Sequence, residues 1–224
     1  MSSQTKGDDE HPVRIDIVSD VVCPWCIVGY KQLERAQAET QIPAVVHWHP
    51  FELNPDMPEE GQDLFEHIAA KYGTSKDSSR KARTKLTSLA RELGFLIDYA
   101  DNMRMLNTFR AHQLLHWSAL NGRQHHMKIA LFEAYFSERK DVSDRDVLIE
   151  IAGGVGLDRE DASAIIDDGR FADDVRKHET FWTSRGVQGV PTMIFDGRLA
   201  LVGAQGIETY RDRLRQVWSE RAQA

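Results

Sequence analysis

The chain has 224 residues, of which 41% are hydrophobic and 28% are charged, and its formal net charge is −7. This length and balance are typical of one large globular domain, or of one domain with a sizeable insertion. An acidic chain lacks the basic surface that attracts nucleic acids and anionic membranes, so we expect neither as a partner.

The N-terminal segment predicts where the protein works. Residues 1–12 are polar and acidic and lack the apolar core of a secretory signal. No apolar run approaches the length of a transmembrane helix. We therefore expect a cytoplasmic protein without membrane association. Free thiols normally stay reduced in that compartment, so two cysteines three residues apart are expected to serve chemistry rather than structure.

The first predicted elements lie on either side of the two cysteines. Residues 14–20 alternate apolar and polar side chains and are rich in Ile and Val, which predicts a strand. Residues 27–39 have apolar positions at helical spacing, and the sequence CPWC stands between the two segments. A second strand is predicted over residues 44–53, and Pro and Gly predict a loop over 54–61. The cysteines are therefore expected at a strand-to-helix junction.

The middle of the chain is helical in pattern from residue 62 to about residue 169. Glycine or Asn-Gly separates successive segments, which is typical of helix ends. Ser143 and Asp158 are predicted N-caps. The candidate helices span residues 62–72, 81–93, 108–120, 123–137, 145–152 and 159–167.

The β pattern returns towards the C-terminus. After a predicted helix over residues 171–185, two apolar runs at 192–195 and 199–202 flank the dipeptide Asp-Gly, which is a strong hairpin signal. Residues 206–221 then predict an amphipathic helix. The order βαβ, helices, ββα predicts a fold of the α/β class.

This order of elements is that of a thioredoxin fold with an inserted all-helical domain. We assign residues 13–57 to the first half of the thioredoxin fold, 58–175 to the helical insertion and 176–224 to the second half. Neither half has enough strands to bury a core alone. We therefore expect the two halves to share one sheet.

The two cysteines fit the chemistry of disulfide exchange. A cysteine attacks a disulfide as its thiolate, and Cys23 is predicted at a helix N-terminus, where unpaired N–H groups and the helix dipole lower the thiol pKa. Cys26 lies one turn further along, close enough to form a disulfide with it. We expect Cys23 to attack and Cys26 to resolve the mixed disulfide.

Two other interpretations of the cysteines are half of a zinc site and a pair of ordinary core residues. A structural zinc site needs four ligands, and the sequence has no second cysteine pair. His112 and His116 are four residues apart on a predicted helix and could share a metal, but no partners for them are evident. We expect no metal.

A proline stands at the start of the third predicted strand. A missing N–H is tolerated there, so Pro191 could be an ordinary trans residue. X–Pro bonds can also be cis, and a cis bond here would turn the Val190 backbone towards a substrate chain beside Cys23. The presence of the cysteine pair favours the cis form.

Five stretches spread over most of the chain carry a family resemblance: SDVVCPWC (19–26), PFELNPDM (50–57), NTFRAHQLL (107–115), GVPT (189–192) and VGAQ (202–205). In these the chain resembles the DsbA-like oxidoreductases of the FrnE group, which join a thioredoxin fold to an inserted helical domain. It is also similar in layout to kappa-class glutathione transferases and 2-hydroxychromene-2-carboxylate isomerases, which bind glutathione but carry serine, or lack the second cysteine, at the redox position.

The resemblance implies roles for several residues. Cys23 is the nucleophile, Cys26 the resolving thiol and Pro191 a cis-proline. The NTFRAH segment is expected to face the active site, so that Arg110 or His112 lines the cleft. The positions at which relatives hold glutathione correspond to Asn54, Val190 and the turn Gly203–Gln205, and Gln205 is the residue of that turn expected to bind substrate.

Pro24 and Trp25 complete the expected substrate site. Because they stand between the cysteines, they set how many N–H groups face the sulfur and how open the site is. Trp25 has two interpretations that the sequence does not separate: it packs on a peptide substrate, or it shields the thiol.

Three functions follow from these observations. The leading hypothesis is a thiol–disulfide oxidoreductase or isomerase acting on a disulfide-containing protein or a small thiol, with no required cofactor and with glutathione as a candidate co-substrate. The alternative is a glutathione-dependent isomerase or transferase acting on a small electrophilic or aromatic substrate. The third is a binding module that the disulfide gates. The chain is expected to be a monomer or a homodimer.

Overall fold

The first elements place the cysteines between a strand and a helix. The structure, a computed structural model, describes residues 11–221, so most of the polar N-terminal stretch lies outside the described residues. Strand β1 (Val13–Ser19) leads through a short turn to helix α1 (Pro24–Thr40), and strand β2 (Ala44–Pro50) follows. The second strand ends earlier than predicted, at a proline that has no N–H to donate to a ladder.

The middle of the chain is helical with one exception, a short ladder between two segments of two residues each. That ladder was not predicted, because two-residue strands leave no periodic signal. In chain order the elements are β3 (Gln62–Asp63), α2 (Leu64–Tyr72), α3 (Lys76–Glu92), β4 (Arg104–Met105), α4 (Phe109–Leu120), α5 (Gln124–Phe132), α6 (Arg145–Gly154), α7 (Arg159–Asp168) and α8 (Ala172–Thr183).

Polar side chains set where several of these helices begin. The predicted cap Asp158 is confirmed, since its carboxylate accepts hydrogen bonds from two N–H groups of α7. The predicted cap Ser143 is wrong: the neighbouring Asp144 caps α6, and Ser143 instead donates to Asp141. Helix α3 begins five residues before its predicted start, because Ser75 caps it.

The predicted helix over residues 123–137 is two segments. Helix α5 ends at Phe132, and the chain continues as a π-helical turn over Glu133–Ser137. Hydrophobic periodicity does not distinguish the two, because the π turn keeps its apolar side chains buried.

The last elements form the predicted hairpin and closing helix: β5 (Thr192–Phe195), β6 (Leu199–Val202) and α9 (Ile207–Arg221). The hairpin is confirmed by the antiparallel pairing of its two strands. Its turn holds Asp196 and Gly197 at φ values of 50° and 67°. Positive φ at both central positions is the geometry that favours Asp-Gly.

The two ends of the chain share one sheet, as predicted, with strand order β2-β1-β5-β6. Strand β1 pairs in parallel with β2 and antiparallel with β5. Its central place explains why both of its faces are buried over most of its length, whereas β6 alternates half-buried and exposed residues as an edge strand does. Helix α1 packs against α9, and one core joins the sheet to the helical block. The boundaries 13–57, 58–175 and 176–224 stay a prediction.

Candidate active site

The two cysteines lie where the central strand passes into α1. Cys23 is the N-cap of the helix, in an extended conformation, and Pro24 occupies the first helical position. Both thiols are free and buried: Cys23 is 3% exposed and Cys26 is fully buried. The Cys26 N–H donates to the Cys23 carbonyl at 3.0 Å. The Cys23 sulfur therefore lies just beneath the protein surface, and the Cys26 sulfur lies deeper, one helical turn further along α1.

A proline loop closes the site opposite α1. The Val190–Pro191 peptide bond is cis. The Cys23 thiol donates to the Val190 carbonyl, with a sulfur–oxygen distance of 3.7 Å. Helix α1 approaches this loop closely because residue 29 is glycine: a Cβ there would stand 3.1 Å from Cγ of Pro191. The backbone of the loop therefore lies directly beside the first sulfur.

A buried aspartate–histidine pair stands behind the cysteines. Asp20 and His112 are 1% and 2% exposed, and Nε2 of His112 lies 3.3 Å from a carboxylate oxygen of Asp20. The other carboxylate oxygen accepts the Leu53 N–H at 2.8 Å. Burial alone would raise the pKa of Asp20, but these hydrogen bonds and the charges of His112 and Lys128 outweigh it and lower that pKa. The carboxylate is therefore held ionised.

A buried lysine faces the same cluster from α5. Lys128 is 1% exposed, and its ammonium donates to the Ser19 carbonyl at 3.4 Å. It also lies over two aromatic rings, 4.8 Å from the centre of Phe132 and 5.5 Å from that of Trp48. Burial lowers the pKa of Lys128 to about 8, although the charges of Cys26 and Asp20 act in the opposite direction and raise that pKa.

The two thiols behave as one titrating pair because they are hydrogen-bonded to each other. The hydrogen bond with Cys26 and burial raise the pKa of Cys23. Burial would raise the pKa of Cys26 too, but the bond from Cys23, the charge of Lys128 and a bond with Ser19 lower it. The expectation of a lowered pKa at Cys23 is thus wrong for the resting pair. At Cys23 the hydrogen bond with Cys26 and burial outweigh the helix N-terminus. At Cys26 the charge of Lys128 helps to stabilise the negative charge on the sulfur.

Three of the predicted substrate-site residues adjoin the first sulfur. Pro24 follows Cys23 in the chain, and Trp25 is 48% exposed. Val190 accepts the hydrogen bond from Cys23. The site therefore presents an exposed ring and a backbone segment around a buried thiol.

The polar contacts of the other predicted residues are with their own neighbours. Asn54 accepts from Lys71 at 2.7 Å, and Arg110 pairs with the exposed Glu59 at 3.2 Å. The side chain of Gln205 donates to the Val202 carbonyl at 2.5 Å. Their roles in binding substrate stay predictions.

Two residues of the site were not among the predicted site residues. Asp20 stands three residues before Cys23, and its only sequence signal is a carboxylate directly after an apolar strand. Lys128 interrupts the run MKIALF of a predicted helix. A single lysine in such a run resembles any exposed helix position, so its burial needed the packing of α5 against β2 to be known.

Within residues 11–221, no group of three or more His, Cys, Asp or Glu side chains is placed to hold a metal ion. His112 instead bonds to Asp20, while the ring of His116 packs against that of His178, with centres 5.3 Å apart. No helix in this part of the chain combines the length and apolar composition needed to cross a membrane.

Comparison with known protein families gives one match over most of the chain. The model of the DSBA-like thioredoxin domain matches residues 14–215. Among curated proteins, the uncharacterized protein YwbO of Bacillus subtilis (strain 168) is 27% identical over 201 residues, covering 88% of this chain and 94% of that protein.

Solved structures with the same fold include an oxidoreductase and an isomerase. A probable DsbA oxidoreductase from Streptomyces coelicolor is 31% identical, with a TM-score of 0.87 over 93% of this chain and 91% of its own. A 2-hydroxychromene-2-carboxylate isomerase has a TM-score of 0.71 over 94% of this chain and 98% of its own, at 13% identity. The second likeness is one of fold alone.

Proposed function

Because the chain belongs to the DsbA-like thioredoxin family, we propose that it is a thiol–disulfide oxidoreductase that works through Cys23 and Cys26. The observation that carries the proposal is the placement of the two thiols. The first lies at the N-terminus of α1, beside the Val190 carbonyl, and the second one helical turn behind it, hydrogen-bonded to the first.

The chemistry proceeds through two exchanges of sulfur partners. The Cys23 thiolate attacks one sulfur of a substrate disulfide, so that a new S–S bond forms and the other substrate sulfur leaves as a thiolate. Cys26 then attacks the sulfur of Cys23 and releases the second substrate thiolate. The substrate gains two electrons, and the protein is left with a Cys23–Cys26 disulfide. The reverse sequence donates that disulfide to a substrate dithiol.

The buried charges support both exchanges. Within the pair the pKa of Cys26 is lowered and that of Cys23 is raised, so Cys26 is the acceptor for the Cys23 proton as Cys23 attacks. That proton then passes to the substrate thiolate that leaves, so that Cys26 is free to be the nucleophile of the second exchange. Lys128 then stabilises its thiolate electrostatically.

The surface around Cys23 favours an extended, partly apolar substrate. Trp25 and Val202 are large exposed hydrophobic residues, 48% and 59% exposed. Val202 pairs with Thr192, the residue directly after the cis-proline. Main-chain groups of a substrate strand can bond to the loop backbone while its side chains contact these residues. A disulfide in a protein segment meets these requirements, and a small disulfide meets fewer of them.

The test is the reduction of insulin by dithiothreitol in the presence of the protein. We expect turnover with the wild type and the uncatalysed rate with Cys23→Ser, because the attacking sulfur is gone. Cys26→Ser should accumulate a mixed disulfide at Cys23, which intact mass spectrometry detects. Equal rates for the wild type and Cys23→Ser would reject the proposal.

A second candidate is a glutathione-dependent isomerase, which the likeness of fold to the 2-hydroxychromene-2-carboxylate isomerase favours. It predicts binding of reduced glutathione that survives loss of both thiols. Calorimetry with Cys23→Ser/Cys26→Ser separates the two functions. Binding by this variant, with no insulin turnover by the wild type, would favour the isomerase.

A further inference from the structure

A cavity of about 240 Å³ lies on the Cys26 side of the site, between β2, α4, α5 and α8. Neither Cys23, Trp25 nor Val190 lines it, so it is separate from the face where a substrate disulfide would meet the first sulfur. Its polar lining is mostly nitrogen bases, a chemistry that the proposed exchange does not use. They are His47, His49, His112, His116, His178 and Lys128.

Three of the imidazoles already have carboxylate partners. His49 lies 2.7 Å from Asp16, His112 lies 3.3 Å from Asp20, and His116 lies 4.0 Å from Asp174. For His47, His116 and His178, burial lowers the pKa of the imidazole, which favours the neutral form. Among the described residues that line the cavity, Lys128 is therefore the cation that has no carboxylate within salt-bridge distance.

In the reduced protein the charge that raises the pKa of Lys128 most is that of Cys26, and the charge of Asp20 comes next. Formation of the Cys23–Cys26 disulfide removes the charge of Cys26. Lys128 remains 1% exposed, with one hydrogen bond from its ammonium, to the Ser19 carbonyl at 3.4 Å. Asp20 is then its remaining counter-charge, and that carboxylate is already bonded to His112 and to the Leu53 N–H. A buried ammonium that shares its counter-charge is costly, so in the oxidised protein it gains from a further anion.

The remaining lining shows what kind of anion fits. Trp48, Leu115 and Leu120 give the cavity apolar walls, and Leu120 is 68% exposed, at the opening. The volume is below the ~300–1,000 Å³ of typical pockets for drug-sized ligands. A small molecule with a flat or short apolar body and one carboxylate matches these walls, and its carboxylate can pair with Lys128.

We propose that this cavity binds a small organic carboxylate through Lys128, and that it does so more tightly when the cysteines form a disulfide. The second part rests on the proposed function, whereas the first does not. By reciprocity, a carboxylate that favours the oxidised protein makes the disulfide harder to reduce. The cavity then couples the concentration of such a molecule to the redox state of the cysteine pair.

Binding is tested by calorimetry with sodium benzoate as the probe and the neutral benzamide as its matched control. Cys23→Ser/Cys26→Ser, which carries no thiolate, should bind benzoate at least about tenfold more tightly than benzamide. Lys128→Met in that background should lose this preference, and Lys81→Met, which removes an exposed lysine of α3, should keep it. Ala119→Phe at the exposed rim of the cavity should abolish binding of both probes without disturbing the core.

Coupling is tested by equilibrating the wild type with glutathione redox buffers, with and without benzoate. We expect benzoate to shift the equilibrium towards the disulfide by about tenfold, which corresponds to ~30 mV. Equal binding of benzoate and benzamide, or unchanged binding by Ala119→Phe, would overturn the cavity proposal. Benzoate binding without any redox shift would overturn the coupling alone. Absence of insulin turnover would count against the proposed function, but benzoate binding by Cys23→Ser/Cys26→Ser would still support the cavity proposal.

Discussion

The two sides of the cysteine pair are built differently. The front of the site, around Cys23, is an exposed tryptophan and the backbone of a proline loop. The back, around Cys26, is a buried set of charges formed by Asp20, His112 and Lys128. At the front the Trp25 side chain is 48% exposed, so we expect its replacement to leave the core intact. The charges at the back cannot be replaced in this way, because each is tolerated only while its partner is present.

The largest effect is expected from breaking the buried pair at the back. Asp20→Asn leaves His112 without a carboxylate partner and should lower the free energy of unfolding by about 3–5 kcal/mol near neutral pH, as measured by urea denaturation. The matched control is Asp174→Asn, which removes the carboxylate 4.0 Å from His116 at the surface and should cost less than ~0.5 kcal/mol. Equal costs for the two variants would show that the buried pair behind the cysteines depends on its partner no more than a surface pair does.

The same variant has a defined pH dependence. The pKa of Asp20 is lowered in the folded protein, so its stabilising contribution is fully present above the pKa of an unfolded aspartate and is lost as the pH falls through the folded value. The wild type should therefore lose stability below about pH 4, and Asp20→Asn should lose less over the same range. If the free energies of unfolding of the two proteins fall in parallel below about pH 4, Asp20 is not the group responsible.

The next effect tests the contact that holds the front to α1. Gly29→Ala places a Cβ 3.1 Å from Pro191 and 3.2 Å from Met193, and should destabilise the protein by about 1–3 kcal/mol through overpacking. Gly154→Ala, where a Cβ meets no neighbour within 4 Å, should be neutral or slightly stabilising. If both variants unfold at the same urea concentration, the proline loop moves to accommodate the added methyl group and does not fix the position of the Cys23 sulfur.

A smaller effect is expected from removing the charge behind Cys26. Lys128→Met should raise the midpoint of thiolate formation, because the second sulfur loses its opposite charge. The ultraviolet absorbance of the thiolate as a function of pH measures this midpoint, and Lys81→Met should leave it unchanged. A midpoint that stays in place in Lys128→Met would assign the stabilisation of the anion to the helix N-terminus, as the sequence-based argument predicts.

The strand-to-helix junction and the hairpin follow from local sequence. The strand, the cysteines and α1 are adjacent in the chain, and the hairpin turn is set by Asp196 and Gly197 between two apolar runs. The contact of Cys23 with the Val190 carbonyl is long-range, and it was expected only because the cysteine pair favours a cis-proline nearby. The back depends on long-range packing: Lys128 is 102 residues from Cys26 in the numbering, and its burial becomes evident only when α5 lies against β2. For that reason local reasoning located both cysteines but assigned the lowered pKa to the wrong one.

The smallest effect on stability is expected at the front, where it also separates the two interpretations of Trp25. The ring is 48% exposed, so Trp25→Ala should change the free energy of unfolding by less than ~0.5 kcal/mol. If the ring packs on a peptide, KM for a peptide disulfide rises several-fold while alkylation of Cys23 by iodoacetamide keeps its rate. If it shields the thiol, alkylation of Cys23 accelerates and KM is unchanged.

Tyr72→Ala, at an exposed aromatic residue of α2, is the matched control and should alter neither KM nor the alkylation rate. We expect the first pattern, because Val202 and the Val190 backbone extend the same surface. A loss of stability comparable to that of Asp20→Asn would show that the front is as dependent on its partners as the back.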